Sequence, residues 1–421
     1  MTVGSYILNK ENLKNSKVSK EKIHHSKTQF ALFCLIVASS LGEIINIYGI
    51  KLSWIMAILT MALFIVENFS NRIIISTYDI KKYIYFFIFW FFYATLQMLF
   101  IFQNDYAISS YLTLVVNIFI VMMIALNIHS IEDLIFLNRG LILGLTINLF
   151  IAFWEITTGN HIISVSIENQ LYNYDKPYGV FGNINDFATF ICLGIVSLIL
   201  NYALTKTNKI FTVITIIAAV FVLLEIDARA PIYGMVLYGV SLVLFYILVK
   251  LYKIGKSTFK IVSFMLLFIS ILASTIIFAN YSLEELVLLL STPANVNSDL
   301  LRIRLIEGAV KGFINSAFLG VGPGQSILLL GINVHNFYLE IMCEYGIFIF
   351  GGIIMIFIYF LRVYRWKLPN LLTVCIMSFT PAFFVIGISS SGANRIRATW
   401  IMISFLYIAI SIYKKKQIKV R

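Results

Sequence analysis

Residues 320–346, GVGPGQSILLLGINVHNFYLEIMCEYG, bring together residue types that could do chemistry. Gly320, Gly322, Pro323 and Gly324 make a backbone unsuited to regular helix and suited to tight turns. The turn leads to His335 and Asn336 at the start of a long apolar run, and Glu340 and Glu344 follow inside that run. Ionisable groups at a membrane boundary are expensive to keep without a use. The His335 imidazole titrates near neutrality, so it can take a proton from an attacking hydroxyl. Asn336, Glu340 and Glu344 share one helix side, where they either bind acceptor hydroxyls or form a polar seam inside the bundle. The competing reading is an ordinary re-entry loop ending in a polar helix cap.

The elements that must position these residues are membrane helices. Of 421 residues, 60% are hydrophobic and 12% are charged, where a soluble domain carries about 25% charged residues. Mean hydropathy is +0.90. Such a chain builds one bundle of spans of about 20 residues rather than several soluble domains. Cys34, Cys192, Cys343 and Cys375 lie in separate apolar stretches without metal-ligand spacing, and are expected to be buried free thiols. The net charge of +12 is spread over short loops and tails, as in a protein held by the inner leaflet, and argues against a nucleic-acid partner.

Apolar segments predict an all-α, polytopic integral membrane protein with about twelve transmembrane helices. A basic cytoplasmic tail is expected over 1–28, in place of a cleaved signal peptide. Helices one to nine follow over 29–279, then a large extracytoplasmic loop over 280–334, helices ten to twelve over 335–413, and a basic cytoplasmic tail over 414–421. Within the loop, 300–318 reads as an amphipathic helix capped by Asp299. Arg304, Glu307, Lys311 and Asn315 fall on its polar face, with Leu305, Ile306, Ala309, Val310 and Phe313 opposite. Arg302 projects with the apolar set, where a guanidinium wants an anionic partner or must snorkel to the surface.

Charge orients the chain. With a cytoplasmic N-terminus, 24 of the 32 lysines and arginines fall inside, as the positive-inside rule requires. Arg229, Arg302, Arg304, Arg395 and Arg397 fall outside, against that trend. Arginine offers a rigid fork for bidentate contact with phosphate or carboxylate, which lysine does not. Outward arginines can therefore hold a diphosphate and neutralise the charge that develops as it leaves. With His335 as base, this describes glycosyl transfer from a lipid-linked diphosphate sugar to a sugar hydroxyl, without a bound metal. The outer loop over 159–182 carries Tyr172, Tyr174 and Tyr178, which either stack on sugar rings or anchor the chain at the interface.

The stretch 320–346 resembles the signature of the bacterial O-antigen ligase and polymerase superfamily: a Gly-x-Gly turn, a His-Asn pair, then Glu and Gly on the next helix. Three further elements fit the resemblance: Gly179-Val-Phe-Gly-Asn-Ile-Asn-Asp186 entering a membrane helix, Arg229-Ala-Pro231, and Arg302. Their order and spacing match over roughly residues 30 to 410. The chain departs from the commonest pattern at Asn183-Ile-Asn-Asp, where Asn-Pro-Asn is more usual, and at Ala228-Arg229 in place of Ser-Arg. The resemblance implies a GT-C-like helical fold in the bacterial cytoplasmic membrane, with the site facing outside. It implies an inverting, metal-independent and cofactor-free transfer from an undecaprenyl-diphosphate-linked oligosaccharide. His335 would act on the acceptor hydroxyl, and Arg229 and Arg302 would engage the diphosphate. Arg395 and Arg397 join them by position alone. A polymerase of capsule, exopolysaccharide or O-antigen is expected, with a chain-length regulator and a flippase as partners. The alternatives are a ligase moving finished glycan to a lipid or protein acceptor, and a flippase or transporter of lipid-linked sugars.

Orientation has a direct test. In a cysteine-free background, cysteines introduced at Asn173 and Asn295 are expected to react with impermeant thiol reagents in intact cells, and one at Asn208 is not. Labelling of the last position alone would invert the orientation.

Overall fold

The computed structural model describes residues 25–42, 46–47, 50–69, 78–101, 104–163, 175–254, 296–332, 334–366, 368–388 and 396–418. Arg395, the expected span over 258–279 and nearly all of the N-terminal tail lie outside these residues. The described chain is helical apart from a two-residue antiparallel ladder, β1 (Asn46–Ile47) with β2 (Ile50–Lys51).

Polar residues start the apolar helices by taking up the orphan N–H groups of the first turn. Ser26 and Gln29 form a capping box at α1 (Lys27–Ser40), and Ser130 and Asp133 do the same at α5 (Ile131–Thr158). Asn104 caps α4 (Asp105–Asn127), and Asn183 caps α6 (Ile184–Thr205). Between these lie α2 (Leu52–Asn68) and α3 (Tyr78–Phe100). After them come α7 (Lys209–Ile226), α8 (Arg229–Ile254), α9 (Val296–Asn315), α10 (Gln325–Leu330), α11 (Phe337–Leu361), α12 (Asn370–Ile386) and α13 (Arg397–Ile418).

The expectation of about twelve spans in a GT-C-like arrangement is corrected. Among the described residues, seven helices are long and apolar enough to cross a membrane: α3 to α8 and α11. At 14 residues, α1 reaches only about 21 Å, short of a hydrocarbon core of about 30 Å. The 17 residues of α2 and of α12 fall in the same shorter class. The last helix, α13, carries Arg397 at its start and Lys414, Lys415 and Lys416 at its end, which dilute its apolar stretch.

The second correction concerns α9. It begins at Val296, so Asp299 lies inside the helix rather than capping it. Arg302 is exposed, whereas Ile303, Leu305 and Ala309 are buried, so the guanidinium does not sit on the packed face. Arg304, Glu307, Lys311 and Asn315 are exposed together, as the periodicity predicts.

The core forms around α6, of whose apolar window 83% is buried, and around α13, buried from Ile396 through Ile412. By contrast, α7 turns Ile210, Val213, Ile214, Ile217, Phe221 and Leu224 outward. An apolar stripe of that length on a membrane helix is the face presented to lipid.

The helix ends sort into two groups. At one end, Gln29 donates to the Asn127 carbonyl at 2.9 Å, Glu67 accepts from the Lys27 backbone N–H at 2.8 Å, and Lys414 pairs with Asp79. This end carries most of the described lysines. At the other end stand the close of α5, the starts of α6, α8, α11 and α13, and the glycine turn.

One span is broken. Gly346 interrupts α11 with φ 73° and ψ −171°, about 14 Å along the helix from Phe337 at 1.5 Å per residue. A Cβ there would lie 2.4 Å from the Leu319 carbonyl carbon. Gly346→Ala is therefore expected to destabilise the protein by at least about 1–3 kcal/mol, through left-handed strain and collision. Gly351, in the same helix with open space around its Cβ position, should tolerate alanine within about 1 kcal/mol. Thermal unfolding of the two variants in detergent checks the contrast, and equal midpoints would remove the break as a constraint.

Candidate functional site

The glycine turn is built against that break. Interrupting α11 frees backbone groups that have no water to turn to inside a membrane. The Val321 N–H donates to the Cys343 carbonyl at 2.8 Å, the Gly322 N–H to the Glu344 carbonyl at 2.9 Å, and the Ile347 N–H to the Phe318 carbonyl at 2.9 Å. Gln97 of α3 adds a donor to the Glu344 carbonyl at 3.0 Å and to the Leu319 carbonyl at 3.1 Å. Gly320 takes φ 86°, and a Cβ on it would lie 2.5 Å from the Glu344 carbonyl oxygen. Gly322 and Gly324 continue the turn against Ile101 and Tyr106.

Past the turn, Ser326 at the head of α10 donates to the Glu344 carboxylate at 2.6 Å. Glu344 and Glu340 are both buried. Glu344 thus secures the loop from inside the bundle rather than lining an open surface. Asn336 is the cap of α11: its side-chain oxygen accepts from the Tyr338 and Leu339 N–H groups at 3.0 and 3.1 Å.

His335 lies just outside the helix, half-buried between Val334 and Asn336. Its φ is 52°, in the left-handed region. A non-glycine residue there is uncommon and costs energy that its surroundings must supply.

Two arginines reach the same end. Arg397 opens α13 and is 6% exposed. One turn further, Trp400 packs against Phe337 with ring centroids 5.6 Å apart, and Phe337 directly follows Asn336. Arg229 opens α8 and is half-buried. Near the start of that helix, Gly234 sits so close to α12 that a Cβ would lie 2.4 Å from Ile386. The next residue of α12, Gly387, accepts the Phe337 N–H at 2.8 Å. The end of α12 therefore holds the starts of α8 and α11 together. Arg302 is exposed on α9, two turns from Ala309, which packs in one cluster with Val334.

Tyr178 is 1% exposed, so its ring offers no stacking surface. It meets His161 edge-on at 5.2 Å. Burial, and then the Glu155 charge, push its hydroxyl above the ordinary tyrosine value. Tyr172 and Tyr174 lie outside the described residues.

Sequence reasoning overlooked Glu155. It is 2% exposed near the end of α5. Its carboxylate accepts from the Tyr178 N–H at 2.9 Å, the Gly179 N–H at 2.6 Å and His161 Nδ1 at 3.2 Å. This stitches residues 178–180 into the bundle, where Gly42 lies close enough to the Val180 carbonyl that a Cβ would fall 2.4 Å from its oxygen. A carboxylate inside a 28-residue apolar span was the available signal.

Among the described residues, no group of three or more His, Cys, Asp or Glu side chains is placed to share a metal ion. The fold defines a multi-pass helical membrane protein, with His335, Arg229 and Arg397 standing at one end of its helices. No protein-family model matches the chain. It is related to the Teichuronic acid biosynthesis protein TuaE of Bacillus subtilis (strain 168), at 23% identity over 447 residues, covering 99% of this chain and 90% of that protein.

Glu155→Ala leaves two buried N–H donors without their acceptor, which costs about 1–3 kcal/mol for each unmet donor. Glu155→Gln keeps an acceptor oxygen and should lose less. Unfolding midpoints of the purified variants check this order, and an unchanged midpoint for the alanine variant would make the carboxylate dispensable.

Proposed function

We propose that the chain is a glycosyltransferase of bacterial polysaccharide assembly, a polymerase acting on polyprenyl-diphosphate-linked repeat units. The observation that carries this reading is its similarity to a polysaccharide-biosynthesis protein along 99% of its length. The convergence of His335, Arg229 and Arg397 on one end of the bundle supports it. In this reading that end faces outside, as the bias of basic residues toward the other end supports, and there a lipid-linked donor is available and nucleotide sugars are not.

In the proposed step, the acceptor hydroxyl gives its proton to the neutral His335 ring as its oxygen forms a bond to the donor's anomeric carbon. The bond from that carbon to the diphosphate oxygen breaks with inversion. Arg229 and Arg397, with Arg302 and Arg395 from the outer segments, neutralise the departing diphosphate. The left-handed backbone of His335 fits this role, since strained residues cluster where side-chain placement matters. Asn336 caps α11 and Glu344 accepts from Ser326, and in this reading their part is to position His335.

A broken membrane helix is also a feature of transporters, where the freed backbone groups bind ions or substrate. Here the Cys343 and Glu344 carbonyls and the Ile347 N–H are bonded to residues 318–322, so these three groups are taken up by protein rather than by a substrate. That favours the enzyme.

The test is reaction of the purified protein with synthetic polyprenyl-diphosphate repeat units, read as a ladder on a gel. Products transferred once, onto a lipid or protein, would replace the polymerase by a ligase. His335→Ala is expected to lower turnover by about 10²–10⁴ with expression unchanged, while His25→Ala at the opposite end has no effect. Arg229→Lys and Arg397→Lys retain charge and lose the fork, for an expected loss of roughly 10–100-fold. Near-wild-type rates in the His335 variant would remove it from the mechanism.

A further inference from the structure

The opposite end of the bundle holds a second site. A cavity of about 370 Å³ opens between the start of α3, the end of α11 with the short 3₁₀ turn Arg362–Arg365 that follows it, and α13. Three cations line it, Lys82, Arg362 and Arg365, and no carboxylate does. Its wall is apolar, made by Met355 and Ile358. The nearby Asp79 carboxylate is engaged by Lys414 and by the Tyr359 hydroxyl at 3.3 Å. Lys414 Nζ also lies 4.7 Å from the Trp366 ring that closes the cavity.

We propose that this cavity binds one anionic phospholipid of the adjacent leaflet. Four features of the cavity fit that ligand and fit a soluble anion poorly. Arg362 and Arg365 open and close one 3₁₀ turn, so two guanidiniums can be offered to one phosphodiester. Trp366 and Tyr359 line the cavity at the end of the α11 span, and indole and phenol rings at span ends favour lipid headgroups. Met355 is 60% exposed, so the wall runs out into the acyl region and gives a chain a way to leave the cavity. A volume of this size holds a headgroup and the first methylenes, so the rest of the lipid must lie along that outward face. Basic cavities between membrane helices recognise anionic headgroups by this combination of charge and apolar wall. The site stands at the end remote from His335 and does not depend on the transferase reading.

The probe is dioleoyl phosphatidylglycerol added to the delipidated full-length protein in detergent, with dioleoyl phosphatidylcholine and inorganic phosphate as comparisons. Native mass spectrometry counts retained lipids, and thermal unfolding reports protection. The expected result is one phosphatidylglycerol adduct that survives desolvation and raises the unfolding midpoint by about 2–4 °C, with neither effect from phosphatidylcholine or phosphate. Arg362→Gln with Arg365→Gln should abolish both. Met355→Trp, which fills the apolar wall and leaves every cation in place, should abolish them too. Lys206→Gln with Lys209→Gln, which removes two charges at the same end outside the cavity, should leave both intact. Equal losses from the Lys206/Lys209 pair would reduce the effect to general surface charge and overturn the site. Retention by the Arg362/Arg365 pair would overturn it as well, and equal protection by phosphate would assign the cations to a soluble anion instead.

Discussion

The structure depends on keeping backbone hydrogen bonds paired where water cannot reach. A membrane span can be interrupted only if something else takes up the amide and carbonyl groups that the helix gives up. In α11 that something is the turn at 318–322, which meets Cys343, Glu344 and Ile347 one for one. Gln97 supplies the remaining donor from a third element. The glycines at 320 and 346 exist because two backbones must approach closer than any Cβ permits. The position of His335 follows from these bonds, since the same loop is tied to α11 by Ser326 on Glu344 and leads on to the cap of that helix.

A similar economy operates at the other polar segment of this end. Glu155 is a charge-bearing group sealed inside the protein, which is costly in isolation. Two backbone donors and the His161 ring surround it and compensate for lost hydration. The result is that residues 178–180 fold down against α1 and α6 instead of standing in solvent. The two polar segments are thus anchored by the same device, a buried glutamate on a span that receives hydrogen bonds from a loop.

Much of this was legible in the sequence, because uninterrupted apolar runs and polar caps locate membrane helices without tertiary information. The segment expected over 209–226 coincides with α7 (Lys209–Ile226), bounded by Asn208 and Asp227, both left-handed. What failed were inferences that needed a partner. Among the described residues the span count falls short of the expected twelve because apolar composition does not distinguish a full crossing from the shorter α1, α2 and α12 or from α13 with its charged ends, and the segment over 258–279 lies outside them. Arg302 was assigned to the packed face from periodicity, yet burial on α9 is decided by what α10 and α11 bring against it through Gly308 and Gly312. Sugar stacking or interface anchoring is expected of Tyr178, and its burial is not legible because the acid that binds its N–H lies 23 residues earlier.

The three bonds that close the break in α11 also set how far this end can move. Each unmet backbone group inside a bilayer costs several kcal/mol, so lifting residues 318–322 away would cost on the order of 9 kcal/mol or more. At 1.4 kcal/mol per tenfold, the lifted form is populated at roughly one molecule in a million or fewer. The glycine turn is therefore a fixed floor, and any opening that admits a bulky molecule has to come from the segments around it.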